Sequence, residues 1–440
     1  MQTTPAWETL KQFRLAAYRT LGRRKDSLFE LMEAVLAGSG PATLVRLSLA
    51  AVFRRAWPSA SDALADGEVD AGRCRELIQT MAIEPGAGRR PVWALDGTVW
   101  PRPAAGTSPE RTYGHRTTAG IPRDGVVPAW EYEWLVAVPA PGTGWVLPLD
   151  VERRGPRDGT PTAVAIGMLR EALARRPADA ARPVAALDSG YDPVQVARAA
   201  LPLDALVRLR SNRVFYRAPG PYRGRGAPRK YGAVFRLADP ATQGSPDASA
   251  TLADPRCGRV RIDAWRDLRA RGAADAPVTV VRVQVERLPR RAKPPAPLWL
   301  AWIGGDLPAD LGDLWRDYLL RFTVEHGFRF LKQALGWTTV RPRDPASADR
   351  WTWLLVLALW QLWLARPLVA DRRLPWERPL PATQSTPGRV RRAFAGLFAP
   401  LGTPARPPKP RGKAPGRRPG HAAGPRSRHP VARRRPKRAA

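Results

Sequence analysis

Four side chains late in the sequence have the types and the spacing to bind phosphate groups around a metal ion. They lie in the segment YLLRFTVEHGFRFLK (318–332), where Tyr318, Arg321, Glu325 and Lys332 stand at offsets of three, four and seven residues. At about 3.6 residues per turn, these offsets predict that the four share one face of a single helix. One carboxylate, two cations and a phenol make a poor stripe for a hydrophobic core. A charged helix face is usually just exposed to solvent, but the composition of this one also suits phosphate binding.

Two aspartates follow short apolar runs earlier in the chain. Asp96 comes directly after VWAL and Asp188 directly after VAAL, so each is expected at the end of a buried strand. Such an aspartate more often caps a turn, and the Asp188-Ser-Gly run is turn-like by itself. An unpaired carboxylate at a buried strand end is nevertheless costly unless a metal ion or a cation neutralises it. Together with Glu325, the two aspartates form a candidate set of three acidic metal ligands.

Three carboxylates of this kind suit the cleavage of phosphodiester bonds. That chemistry uses two metal ions about 3.5–4 Å apart, of which one activates the attacking oxygen and the other stabilises the leaving oxygen. Mg²⁺ is a hard ion that takes oxygen ligands and keeps some of its water. We therefore predict that Asp96, Asp188 and Glu325 are catalytic residues that hold two Mg²⁺ ions, which Mn²⁺ can replace.

The composition of the chain indicates a polyanionic partner. Its 440 residues include 72 Lys and Arg against 39 Asp and Glu, with a net charge of +33 and a pI near 11.5. Nucleic acid is the default partner of so basic a protein, and an anionic membrane is the rival. The most apolar run, residues 351–365, is shorter than the roughly 20 residues that span a bilayer and contains Gln361, so a buried helix is expected. The partner is therefore predicted to be DNA, without a membrane.

The sequence also fits a cytoplasmic protein. The N-terminus MQTTPAWETLKQF lacks the apolar core of a signal peptide. Cys74 and Cys257 are far apart and belong to no disulfide or zinc motif, which fits a reducing compartment.

The order of the predicted elements indicates an α/β fold. Three apolar strands, a helix, a strand, a helix and a further strand follow one another after residue 89. This is the order of an RNase H-like domain, in which helices flank a mixed sheet. The predicted organisation is an N-terminal helical region at 1–88, a first part of the catalytic core at 89–210, a β-rich insertion at 211–304, a second part of the core with the signature helix at 305–370, a C-terminal extension at 371–400 and a disordered basic tail at 401–440.

The two ends of the chain carry many cations. Residues 1–88 combine helical periodicity with arginines such as Arg23 and Arg46, so they could form a DNA-binding unit of helix-turn-helix type. A helical cap on the next domain explains the same pattern equally well, and both interpretations stay open. Residues 401–440 contain 13 Lys and Arg and no acid. Such a tail buries too little surface to offset chain entropy, and it is expected to add DNA affinity that depends on salt.

Most of the chain resembles a known family. Residues 10–400 resemble the DDE superfamily endonucleases that occur as insertion-sequence transposases in GC-rich, actinobacterial-type genomes. The spacing Y-x2-R-x3-E-x6-K within 318–332 is the specific part of the resemblance. The blocks ALDGTVWPRP, DSGYD, GRGAPRKYG and RDPASADRWTW add to it.

This resemblance implies roles for residues already singled out. It implies that Asp96, Asp188 and Glu325 are the metal-binding triad. The Asp-Gly-Thr form of the first motif also matches, which would place Thr98 near the metal site. The resemblance further implies three partners of the terminal phosphates, namely Tyr318, Arg321 and Lys332.

The activity implied by the resemblance is DNA transposition. Hydrolysis at the end of the element frees a 3′-hydroxyl, which then attacks target DNA in line, while the protein positions the DNA and neutralises charge. The implied partners are double-stranded DNA with terminal inverted repeats, target DNA and a second copy of the chain in a homodimer, at the bacterial nucleoid. Two alternatives stay open. One is a structure-specific nuclease without strand transfer, and the other is a non-catalytic DNA-binding protein derived from a transposase.

Further DNA contacts can be predicted from aromatic and basic residues. Related enzymes can pass through a hairpin intermediate that stacks a flipped base on an aromatic ring, and Trp299 and Trp302 are candidates for this role. Core packing is the more ordinary interpretation of both. Four cations are predicted to contact the DNA backbone along a strand and in a Gly/Arg-rich loop, with solubility as the alternative. They are Arg210, Arg213, Arg229 and Lys230, and the same loop contains Arg223 and Arg225.

Overall fold

A computed structural model of the chain describes residues 4–38, 42–81, 83, 89–115, 125–139, 142–222, 224, 226–288, 295–410, 420 and 424–433. Helices come first in this part of the chain. They are α1 (Pro5–Arg19), α2 (Lys25–Ala37), α3 (Leu44–Ser48), α4 (Pro58–Asp66) and α5 (Ala71–Gln79). The side chain of Thr43 caps α3 and that of Asp70 caps α5, each by accepting a bond from a backbone amide in the first turn.

The strands that follow form one mixed sheet. They are β1 (Val92–Pro101), β2 (Thr112–His115), β3 (Val126–Ala137), β4 (Leu147–Arg154), β5 (Val184–Leu187), β6 (Asp204–Leu209), β7 (Val214–Tyr216), β8 (Val234–Arg236), β9 (Ala248–Asp254), β10 (Gly258–Ala270), β11 (Ala273–Val285) and β12 (Leu298–Ile303). Their order is β2-β3-β1-β5-β6-β12-β11-β10-β7-β8, with β4 paired to β3 and β9 paired to β10. The pairs β1–β5 and β5–β6 are parallel, and the other pairs are antiparallel. The RNase H-like mixed sheet with flanking helices is thereby confirmed.

The remaining helices flank or follow this sheet. They are α6 (Pro161–Ala174), α7 (Pro193–Arg198), α8 (Gly312–Leu320), α9 (Thr323–Arg329), α10 (Pro345–Ala365), α11 (Pro387–Phe394) and α12 (Phe398–Leu401). α6 lies between β4 and β5, and α7 lies between β5 and β6. These helices supply the crossovers that parallel neighbouring strands require.

The residues predicted as a β-rich insertion continue the same sheet. Trp299 of β12 pairs with Leu209 of β6, so the sheet runs without a break from the predicted core into β12, β11 and β10. Of these strands, β10 was not predicted. Arginines alternate with apolar residues along it, and its apolar side chains Val260 and Ile262 are buried while Arg259 and Arg261 are exposed.

The Trp-rich helix α10 forms the centre of the helical layer, as the sequence predicts for a buried helix. It packs against α1 and α2. The indole N–H groups of Trp351 and Trp360 donate to backbone carbonyls at 3.1 and 2.8 Å, so their burial leaves no donor unsatisfied. No helix among the described residues is long and apolar enough to cross a membrane.

A buried arginine joins the N-terminal helices to α10 and to the start of the tail. Arg14 of α1 is ion-paired with Glu33 of α2, and it donates to Gln361 Oε1 at 2.8 Å and to the carbonyl of Gly402 at 2.9 Å. Burying an ion pair costs desolvation free energy, which the additional hydrogen bonds offset. The network fixes α1 and α2 on α10 and on the start of the tail.

The segment 318–332, predicted as one helix, is broken in the structure. α8 ends at Leu320, α9 begins at Thr323, and a π-helical turn occupies Phe330–Ala334. Between α8 and α9 the amide of Arg321 bonds to the carbonyl of Tyr318, and that of Val324 bonds to the carbonyl of Arg321, which is the i→i−3 pattern of a tightened turn. The prediction that the four signature residues share a face of one α-helix is therefore wrong.

Parts of the predicted disordered tail contact the folded protein. Thr403 donates to Glu33 at 3.0 Å, and Ala405 is buried. Further along, Arg111 donates to the carbonyl of His429 at 2.7 Å, and the amide of Ala432 donates to the carbonyl of Arg111 at 2.8 Å. Residues 411–419, 421–423 and 434–440 of the expected tail lie outside the described residues.

Candidate active site

Two neighbouring parallel strands position the two aspartates of the predicted triad. β1 and β5 pair in register up to Leu95 and Leu187, Asp96 is the next residue of β1, and Asp188 is the first residue after β5. Parallel strands bring equivalent positions to the same edge of a sheet, about 4.8 Å apart. Both residues line one open cleft of about 770 Å³.

Strand β1 does not end at Asp96, although the sequence predicts a strand end there. It continues to Pro101 because residues 96–101 stay paired with β3 on the other side. Only the parallel pairing with β5 stops before Asp96. The aspartate is therefore held on a strand that is anchored on one side and open on the other.

Arg321 provides the nearest positive charge to Asp96. Its Nη1 lies 3.3 Å from Asp96 Oδ2, and both side chains are largely buried. Arg321 is placed there by the tight turn between α8 and α9. Since a buried carboxylate is costly without a counter-charge, this contact stabilises ionised Asp96.

Lys332 reaches the same strand from the π-helical turn. Its Nζ donates to Thr98 Oγ1 at 2.7 Å. Burial lowers the pKa of Lys332, and the negative charge of Asp96 opposes this shift. The π turn follows α9 directly, and π turns inside helices are frequently found at functional sites. The sequence prediction that Thr98 lies near the metal site agrees with this contact.

Glu325 lies on α9 and is exposed to solvent. The backbone of α9 at Gly327 packs closely against the side chain of Val146, the residue before β4. A Cβ at position 327 would overlap that side chain. The charge of Glu325 acts on Asp96, as the pKa of that aspartate indicates.

The pKa of Asp96 reflects its burial and the charges around it. Burial raises this pKa to about 7, while the guanidinium of Arg321 opposes the shift. Three other carboxylates add to the rise, namely those of Asp188, Glu133 and Glu325. A cation that entered the cleft would relieve this repulsion.

The donor groups fit a hard divalent cation in kind. Carboxylate oxygens are the ligands that Mg²⁺ prefers, and mutual repulsion among them favours a bound cation. In the part of the chain that the structure describes, no three His, Cys, Asp or Glu side chains are grouped so that they could already hold a metal ion. Asp96 and Asp188 line the cleft, whereas Glu325 is exposed and is not among the residues that line it.

Tyr318 packs beneath this site. Its side chain is fully buried on α8, and its ring stacks edge-on against Phe322 with centroids 6.0 Å apart. The guanidinium of Arg321 lies 5.8 Å from the Tyr318 ring and 5.1 Å from the Phe322 ring. Burial raises the pKa of Tyr318, and the nearby charge of Arg321 opposes the shift. Arg321 thus links Tyr318 to Asp96 and Lys332 contacts Thr98, whereas the Glu325 side chain is exposed.

Trp299 and Trp302 are buried in the structure, as their core interpretation predicts. The Trp299 ring packs against Trp265 with centroids 5.9 Å apart. The Trp302 indole N–H donates to the carbonyl of Gly305 at 3.0 Å, and the Arg90 guanidinium lies 5.3 Å from its ring. Neither ring offers an open face to a base in this arrangement.

The other predicted DNA contacts lie away from the triad. Arg210 and Arg213 follow β6 and precede β7, and Arg229 and Lys230 are exposed in the connection from β7 to β8. Among the described residues, none of these four side chains forms a hydrogen bond or ion pair with the triad. Arg223 and Arg225 of the same loop lie outside the described residues.

Sequence reasoning missed two residues of the cleft. Glu133 of β3 lies beside the aspartates and accepts a hydrogen bond from the Tyr191 hydroxyl at 2.8 Å. Both side chains are buried. A signal was present, because Glu131 and Glu133 alternate within a strand that is otherwise apolar, and an acid in a buried strand needs a partner.

Comparison with known proteins identifies the family of the chain. The family model described as DDE superfamily endonuclease matches residues 17–272, more than half of the chain. The match includes Asp96 and Asp188 and ends before Glu325. No curated protein matches the chain. The chain therefore belongs to the DDE superfamily of endonucleases, enzymes that act on DNA and generally use divalent metal ions.

Proposed function

We propose that this chain is the transposase of an insertion sequence, which cuts the ends of the element and joins the freed 3′-hydroxyls to target DNA by two-metal-ion phosphoryl transfer. One observation carries the proposal. Two cations of the signature segment meet the strand that holds the first aspartate, since Arg321 contacts Asp96 and Lys332 contacts Thr98. A carboxylate site flanked by cations suits a DNA end, where a metal site and several phosphates lie side by side.

Asp96, Asp188 and Glu325 are the residues that would hold the metal ions. When bound, Mg²⁺ ions, or Mn²⁺ in their place, would activate the attacking oxygen and stabilise the leaving oxygen. The protein would contribute ligand oxygens from β1, from the first residue after β5 and from α9. The parallel register of β1 and β5 supports this arrangement, because it brings both aspartates to one edge of the sheet.

Arg321, Tyr318 and Lys332 would bind the phosphates next to the cut. The Arg321 guanidinium lies 5.8 Å from the Tyr318 ring, and the same guanidinium contacts Asp96. Charge-assisted hydrogen bonds to phosphate are roughly twice as strong as neutral ones. These contacts would orient the DNA end and neutralise charge in the transition state.

The proposal implies a set of partners. The substrate is double-stranded DNA with terminal inverted repeats, followed by target DNA. Two ends must be brought together, so the active species is a homodimer on DNA. The net charge of +33 favours association with the nucleoid in a bacterial cytoplasm.

A strand-transfer assay tests the proposal. Purified protein would be incubated with Mg²⁺, a pre-cut duplex that ends in the inverted repeat next to its own gene, and a supercoiled target plasmid. We expect joined products with the wild type and none with Asp188→Asn, which keeps the shape of the side chain but removes its charge.

The other outcomes separate the remaining functions. Cutting of the uncut repeat without joining would identify a nuclease that lacks strand transfer. Specific binding without cutting or joining, with Mg²⁺ or Mn²⁺, would identify a DNA-binding derivative. Either result would contradict the proposal.

A further inference from the structure

The two aspartates lie just beyond the last backbone pair between β1 and β5. The ladder between β1 and β5 ends at Leu95 and Leu187. No hydrogen bond of that ladder therefore fixes Asp96 relative to Asp188. Ligands of a metal site are usually oriented by further contacts behind them, and the two segments need such a contact.

Glu133 of β3 touches both segments. It pairs with Gly97 across the antiparallel ladder, and a Cβ at Gly97 would lie 3.1 Å from Glu133 Oε2. The same carboxylate oxygen accepts the hydrogen bond from the Tyr191 hydroxyl at 2.8 Å. Gly97 follows Asp96 directly, and the amide of Tyr191 faces the carbonyl of Asp188 at 3.5 Å in the turn after β5.

Burying the carboxylate of Glu133 costs desolvation free energy, which only favourable contacts can offset. Only 3% of its surface is exposed, and its Oε1 lies 3.3 Å from Arg154 Nε. Well-packed apolar residues often replace a buried ion pair without loss of stability. A carboxylate at this place therefore points to a task other than filling the core.

We propose that Glu133 is a positioning residue that holds Asp96 and Asp188 at a fixed separation, through its packing on Gly97 and its hydrogen bond from Tyr191. The inference rests on the proposed function only in taking the two aspartates as metal ligands. It also explains two residues of the motifs that contain these aspartates. The glycine of Asp96-Gly97 leaves room for the Glu133 carboxylate, and the tyrosine of DSGYD supplies the donor.

The test measures metal binding without DNA. Mn²⁺ would be titrated into the full-length protein, and the concentration that produces half of the rise in Tm would be recorded. We expect Tyr191→Phe and Glu133→Ala to raise this concentration about tenfold or more, as losses behind metal ligands commonly do. Glu133→Gln keeps the length of the side chain and an acceptor for Tyr191, so we expect it to stay close to wild type.

A matched control is available on the same strand. Tyr132 is also buried, and its hydroxyl donates to Asp349 at 2.8 Å on the opposite face of β3. Tyr132→Phe removes a similar buried hydrogen bond, and it should lower the metal-free Tm without changing the half-effective Mn²⁺ concentration. This control separates positioning from general stability.

A second experiment uses the close approach at Gly97. Gly97→Ala pushes a methyl group against Glu133, and we expect weaker Mn²⁺ binding. This variant keeps the inference testable if Glu133→Ala does not fold.

Several results would overturn the inference. Tyr191→Phe and Glu133→Ala variants that bind Mn²⁺ as tightly as the wild type would overturn it. An equal loss of Mn²⁺ affinity in Glu133→Gln and Glu133→Ala would also overturn it, because the charge of Glu133 would then matter rather than its contacts. Absence of any Mn²⁺ effect in the wild type would also do so. Failure of the transposase proposal is distinguishable, because the wild type would then bind Mn²⁺ and still not join DNA ends.

Discussion

Arg321 and Asp96 lie 225 residues apart in the chain, and their side chains form an ion pair of 3.3 Å. The pair joins the signature segment to the first strand of the sheet. It also sets the electrostatics of the site, because Arg321 is the cation that opposes the rise in the pKa of Asp96. Several measurable consequences depend on this relationship.

Metal binding should depend on pH near neutrality. Metal ions need the ionised carboxylate, and the pKa of Asp96 is raised to about 7. We expect the Mn²⁺ affinity to fall about tenfold for each pH unit below 7, as release of one proton requires. Arg321→Gln removes the opposing cation and should move this fall to higher pH. Isothermal titration calorimetry from pH 5 to 8 measures the effect, and an affinity that does not change over this range would contradict it.

The stability of the metal-free protein should fall as pH rises from about 4 to 7. The folded protein keeps a proton on Asp96 up to a pKa of about 7, whereas the unfolded chain releases it near 3.8. Between these values the folded state binds more protons, so raising the pH favours unfolding. A shift of this size corresponds to at most about 4 kcal/mol.

Asp96→Asn lacks this titration, so its free energy of unfolding should depend less on pH over the same range. Urea unfolding at pH 4, 5.5 and 7 with a chelator present compares the two proteins. Parallel curves for wild type and variant would show that Asp96 titrates normally.

Lys332 should distinguish DNA ends from ordinary duplex. Its ammonium group lies in the cleft beside Thr98, so only DNA that enters the cleft can reach it. We expect Lys332→Ala to weaken binding to a pre-cut repeat end about 10–100-fold, the range of a charge-assisted hydrogen bond, and to change binding to random duplex little. Thr98→Val, which removes only the internal partner of the ammonium group, is the control and should keep end binding. Equal losses on both DNAs in a filter-binding assay would make Lys332 a general phosphate contact.

The tail should supply salt-dependent affinity, and the structure indicates where to cut it. Thr403 and Ala405 pack on the N-terminal helices, so deletion of 401–440 should lower Tm as well. Deletion of 411–440 leaves those contacts and removes 11 Lys and Arg. We expect the slope of log affinity against log salt to become shallower by about 0.9 for each lost phosphate contact. The same slope in the full chain and in the 411–440 deletion would show that this segment does not touch DNA.

The fold could be predicted where hydrophobic patterning is strong. The runs before Asp96 and Asp188 formed the central parallel strands, and the Trp-rich run formed a buried helix, because burial on both faces requires continuous apolar sequence. The spacing around Glu325 predicted one continuous helix, whereas the segment is divided into α8, α9 and a π turn. The tight turn at Arg321 and the π turn that contains Lys332 are local changes in hydrogen bonding, which side-chain periodicity does not reveal.

The role of Glu133 could not be predicted for a different reason. Its partner Tyr191 lies 58 residues away in the sequence, and Gly97 contacts it only through strand pairing. The pairing register that joins them depends on the whole sheet. The tail contacts were missed in the same way, since composition alone described that segment and its bonds to Arg111 are long-range.

The most direct test of the account is DNA cleavage by the wild type and by Glu325→Gln. A labelled duplex that carries the repeat next to the gene would be incubated with each protein and Mg²⁺, after equal DNA binding has been verified. We predict that the wild type cuts at the repeat boundary and that the variant loses more than about 100-fold in rate, beyond the range of losses from residues behind a metal site. Cleavage by Glu325→Gln at the wild-type rate would contradict the account, because the helix residue would then not belong to the metal site.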